Sequence, residues 1–84
     1  MGSFDGKVVI VTGAAWGIGR DTALGFARGG ANVVIADVAS AAGKAVESQL
    51  RDIGPGGLFV DADVSKAEAC RRVVSETVAA FGAV

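Results

Sequence analysis

Four apolar residues in succession, Val8–Val11, carry no polar alternation. A run of that kind has both faces covered, as in an inner strand of a parallel sheet flanked by helices. After a glycine-rich loop, Ile18, Thr22, Ala23, Phe26 and Ala27 recur at helical spacing, and Arg28-Gly29-Gly30 offers a cation for the last turn and then a stop. Asn32–Ala36 repeats the buried-strand pattern and runs into Asp37. Ala42, Val46, Leu50 and Ile53 predict a second amphipathic helix, ended by Gly54-Pro55-Gly56-Gly57. Leu58–Val60 reads as a short third strand leading into Asp61-Ala62-Asp63-Val64. Ser65, with Glu68 three positions on, reads as a capping box that opens a third helix. Its apolar stripe is Cys70, Val73, Val74, Thr77 and Phe81, and Gly82 punctuates its end.

The order is β-α-β-α-β-α with short connections, which predicts an α/β fold with a parallel sheet. Right-handed crossovers place the strands in the order 3-2-1, the first two helices on one face and the third on the other. That is half of a Rossmann fold, the doubly wound parallel sheet. A fourth strand is expected to start at Ala83-Val84 and to lie beside the first; without it, VVIV keeps an open edge and a poorly covered face. Because a single core of ordinary size takes roughly a hundred residues or more, the 84 residues are expected to be the N-terminal part of one truncated domain.

Composition narrows the partners. An apolar share of 51% against a charged share of 20% argues for a packed chain. With a net charge of −1 and no His, there is no basic footprint for nucleic acid or an anionic membrane, and no imidazole to serve as metal ligand or general base. The single Cys, Cys70, excludes an internal disulfide and a CxxC metal knuckle, and suits a reducing cytoplasm; it is expected to be a small buried residue. The polar start MGSFDGK and the brevity of VVIV argue against a targeting segment or membrane span. A soluble cytoplasmic protein is expected.

The chemistry concentrates in the loop after the first strand. A buried strand, a tight glycine turn and a helix start together present free amides and a positive helix end to an anion. Gly13 is expected to leave the strand in a conformation closed to side chains, while Gly17 and Gly19 remove Cβ atoms that would keep a diphosphate, or neighbouring backbone, at a distance. Thr12 can tie the loop to a main-chain group, Ile18 is expected to point into the core beneath it, and Trp16 to cover the loop. The spacing TGxxxGxG matches neither GxxxxGK[ST] nor GxGxxG, and no lysine or hydroxyl is placed for a magnesium-bound triphosphate. An unliganded glycine turn remains the alternative.

A carboxylate at Asp37, eighteen residues past Gly19, can accept both hydroxyl protons of an adenosine ribose and would repel a 2′-phosphate, which points to NAD over NADP. Neither Trp16 nor Val38 offers a cation for that phosphate. Asp63 could accept from the adenine amine while Val64 packs on the base, although Asp61 and Asp63 could equally be solvated turn residues.

These motifs together resemble the short-chain dehydrogenases/reductases. The resemblance runs from about Gly6 to the last residue and rests on GKVVIVTGAAWGIGR, Asp37 after VVIA, DADVS and the closing AFGAV. It implies that Thr12, Gly13, Gly17, Ile18 and Gly19 line the diphosphate turn, that Asp37 holds the ribose, and that Asp63 and Val64 hold adenine. It also implies an alcohol or ketone substrate, and a homo-oligomer for the complete protein. The family's catalytic Ser and Tyr-x-x-x-Lys come later than AFGxV; this chain has no Tyr, so no catalytic residue is assigned. A non-catalytic NAD-binding module is the alternative to an enzyme.

Overall fold

The computed structural model describes residues 3–82. Three strands, β1 (Val8–Thr12), β2 (Asn32–Asp37) and β3 (Gly56–Asp61), alternate with three helices, α1 (Gly17–Arg28), α2 (Ser40–Ile53) and α3 (Ala67–Phe81). All pairing is parallel, with β2 between β1 and β3. This is the strand order and the half-Rossmann architecture expected from the alternating pattern. The expected start of a fourth strand at Ala83-Val84 lies outside the described residues.

The period of two along each strand sorts the core into two clusters. Val33 and Ile35 of β2 face α1 and α2, packing with Ala23, Ala27, Val46 and Leu50, and with Val9, Val11 and Phe59 at the margins. Val34 and Ala36 face α3 and pack with Val60, Ala62 and Val73, with Ile10, Leu58 and Phe81 at the margins. Four successive β2 residues, Val33–Ala36, are fully buried, as the unbroken apolar run requires, whereas Val8–Val11 of β1 are only half-buried.

The two edges of the sheet are finished differently. Outward-facing groups of β3 are met by side chains: Arg51 Nε donates to Gly57 O at 3.0 Å, Phe59 N–H donates to Glu47 Oε2 at 2.6 Å, and Arg72 Nη2 donates to Asp61 O. On β1, Lys7 O and Gly13 N bond toward β2, so by alternation the main-chain groups of Val8, Ile10 and Thr12 point away from the sheet. No partner meets them among the described residues.

Several local expectations need correction. Gly56 and Gly57 belong to β3, not to the helix stop; a Cβ at Gly57 would come within 2.6 Å of Leu50 Cβ, so this glycine lets α2 lie close on the strand. The capping box does not form, because Ser65 Oγ donates to Asp63 Oδ1 at 2.6 Å; α3 starts after Lys66 with no side-chain cap. Cys70 and Val74 are exposed, since α3 docks through the ridge of Ala69, Val73, Thr77 and Phe81 and turns the adjacent ridge outward. Thr77, buried, donates its hydroxyl to Val73 O at 2.6 Å and so leaves no polar atom unpaired.

Candidate functional site

The carboxyl ends of the three strands bring the predicted residues to one rim of the sheet, the place where open α/β sheets bind ligands. Strand β1 ends at Thr12, and Gly13 leaves it with φ +66°, in the left-handed region that favours glycine. Its N–H still bonds Ala36 O at 2.9 Å, so the turn begins anchored to β2. Ala14 and Ala15 then drop their methyl groups into the core, and Gly17, with φ +56°, opens α1.

Gly19 has a different task. A Cβ there would fall on the carbonyl oxygen of Gly13 and lie 3.0 Å from its carbon, so the first turn of α1 packs directly on the backbone of the loop. The Cβ positions of Gly13 and Gly17 meet nothing within 4 Å; those two glycines are required by backbone angle.

The first helical hydrogen bond runs from Arg20 N–H to Trp16 O at 3.2 Å, which leaves the amides of Gly17, Ile18 and Gly19 without main-chain acceptors. The N-cap, Trp16, contributes no side-chain bond and the first turn holds no acidic residue. Neither the N-cap nor the first turn of α1 therefore compensates its positive end, as an anion-binding helix start needs.

Side chains around the turn differ from expectation. Ile18 is 86% exposed and does not enter the core, because Ala14 and Ala15 fill the space beneath the loop. Trp16, 67% exposed, stands off the loop instead of covering it. Thr12 is exposed, and its hydroxyl ties no main-chain group among the described residues.

Asp37 closes β2, half-buried, beside this turn. Its Oδ1 accepts from Val38 N–H at 2.7 Å and its Oδ2 from Ala15 N–H at 3.2 Å, a contact across 22 residues that sequence spacing does not reveal. Asp63 and Val64 follow β3 on the same rim and are exposed. Asp63 Oδ1 accepts from the Ser65 hydroxyl at 2.6 Å and from Ser65 N–H at 3.1 Å, and these two donors, helped by Lys66, hold its carboxyl below the ordinary value. Beside it, Ser40 Oγ donates to Asp61 Oδ2 at 2.5 Å and ties the start of α2 to the end of β3.

Among the described residues no three His, Cys, Asp or Glu side chains are placed to share a metal ion, and no helix is long and apolar enough to cross a membrane.

The signature of the family described as short chain dehydrogenase matches residues 7–84. The chain belongs to that family. It is 47% identical over 81 residues to the short chain dehydrogenase/reductase astE of Aspergillus oryzae, a match that takes in 95% of this chain and 31% of that protein. To the L-fucose dehydrogenase of Oryctolagus cuniculus it is 46% identical over 79 residues, covering 94% of this chain and 26% of the relative. Among solved structures, a hydroxysteroid dehydrogenase from Escherichia coli superposes with a TM-score of 0.87 at 29% identity, over 93% of this chain and 32% of that one. The chain thus spans about a third or less of the length of these relatives, whose names mark them as dehydrogenases or reductases.

Proposed function

We propose that this short-chain dehydrogenase stretch is the N-terminal, cofactor-binding portion of an NAD-dependent oxidoreductase that interconverts an alcohol and a ketone. The observation that carries the reading is the pairing of an uncapped α1 start with a carboxylate, Asp37, hydrogen-bonded to the same turn. In this reading Thr12, Gly13, Gly17, Ile18 and Gly19 frame the diphosphate, with the amides of Gly17–Gly19 as donors. Asp37 accepts from the ribose hydroxyls and disfavours a 2′-phosphate, which selects NAD; no cation stands at Trp16 or Val38 to reverse that preference. Asp63, whose carboxylate is held by Ser65, accepts from the adenine amine, and Val64 lies against the base.

The bound nicotinamide supplies the hydride acceptor or donor; the protein's part is to orient it. The family's proton-transferring Tyr has no counterpart among the 84 residues, which contain no Tyr, so this stretch binds the cofactor and carries no catalytic residue. A cytoplasmic location, supported by the sparse use of cysteine, and a homo-oligomeric intact protein complete the reading.

Calorimetric titration of the intact protein with NAD and NADP tests it. Wild-type protein should prefer NAD, and Asp37→Ala should weaken NAD and shrink its advantage over NADP. An unchanged preference would remove Asp37 from the ribose site, and binding of neither nucleotide would end the proposal.

A further inference from the structure

The backbone of the glycine turn is fixed at its two ends, by Gly13 N–H on Ala36 O at 2.9 Å and by Arg20 N–H on Trp16 O at 3.2 Å. Between those points the tie among the described residues is Ala15 N–H on Asp37 Oδ2 at 3.2 Å. Ala15 is 3% exposed, so its amide leaves a packed residue to reach the Asp37 carboxylate. Asp37 is held in turn by Val38 N–H on its other oxygen. Each carboxylate oxygen accepts more than one hydrogen bond, so both remain able to take a ribose hydroxyl.

We propose that Asp37 is a positioning residue for the glycine turn as well as a ribose acceptor. By holding the Ala15 amide it fixes the turn in the shape that presents the Gly17–Gly19 amides to a diphosphate, and it couples recognition of the sugar to recognition of the phosphates. The inference rests on the nucleotide reading above. It has a sign that a purely electrostatic role does not share. A carboxylate beside the turn repels phosphate, so removing its charge alone would tighten binding of the phosphates; loss of the tie weakens it.

The probe is 2′,3′-dideoxyadenosine 5′-diphosphate, which keeps the phosphates and lacks both hydroxyls, titrated against ADP into intact wild-type and Asp37→Ala protein. Asp37→Ala should weaken the dideoxy nucleotide about fivefold, the worth of one net hydrogen bond, and ADP by more. Unchanged or tighter binding of the dideoxy nucleotide overturns the proposal. Amide hydrogen exchange on ligand-free wild-type protein gives a second reading that needs no variant. The Ala15 amide should exchange at least about tenfold more slowly than that of Gly17, which has no acceptor among the described residues. Equal rates overturn the tie even where NAD binds, whereas failure of the wild-type protein to bind either NAD or ADP strikes the nucleotide reading itself.

Discussion

The outer edge of β3 and the outer edge of β1 belong to one three-stranded sheet and are treated in opposite ways. On β3, Arg51, Glu47 and Arg72 each occupy one outward main-chain group, on Gly57, Phe59 and Asp61, so helices α2 and α3 cover part of the edge with their own side chains. On β1 the outward groups of Val8, Ile10 and Thr12 are bare among the described residues, and the strand's apolar run is only half-buried. A partly covered edge resists further pairing and an open one invites it. The strand that ends in the glycine turn is therefore the least supported of the three, and the turn draws its rigidity from β2, through Ala36 O and Asp37, more than from its own strand.

The contrast can be broken most forcefully in the core. Leu50→Ala removes a fully buried side chain that lies against Gly57 of the partly covered strand, and should cost about 2–5 kcal/mol. Ile10→Ala, in the half-buried open strand, should cost clearly less. Urea midpoints for the two variants decide it, and equal losses would mean that β1 is as well covered as β3. A smaller effect is expected at the covered edge itself. Glu47→Ala strips the acceptor from Phe59 N–H and should cost about 1–3 kcal/mol while speeding exchange of that amide; Glu47→Gln, which keeps an acceptor oxygen, should recover most of the protection.

The smallest effect lies just past β3, at Asp63. Its folded pKa is depressed below the ordinary 3.8 by the hydroxyl and amide of Ser65. The stabilisation this brings is complete above the unfolded-state value and is lost as pH falls through the lower folded one. Acid titration of stability should show that loss in wild-type protein and lack it in Asp63→Asn; identical acid limbs would show that the Ser65 bonds add nothing.

Much of the fold was legible because it depends on short-range patterning. The runs VVIV and NVVIA announced parallel strands, the positive-φ requirement fell on Gly13 as expected, and Asp37 stood at the end of β2 as its place in the sequence demanded, whereas Gly17, expected to relieve a close approach, is needed for its backbone angle. What escaped depends on which of two neighbouring ridges docks, or on contacts far apart in sequence. Ile18 and Cys70 have helical spacing that fits burial, yet the small residues Ala14, Ala15 and Ala69 took the core positions and left them outside. Ser65 and Glu68 have the spacing of a cap, but a nearer carboxylate, Asp63, claimed the serine hydroxyl. The Ala15–Asp37 and Glu47–Phe59 bonds carry no sequence signal, because each joins groups that only the finished sheet brings together.

The outward stance of Trp16, Ile18 and Val38 has a consequence for the energetics of that rim. Three large apolar side chains stand wet beside a turn whose polar work is done by main-chain amides. Any occupant broad enough to lie across them expels the water that coats them, so solvent release, and with it a fall in heat capacity, accompanies capture of the charged group. Grip and drying would then reside in different atoms of the same short loop.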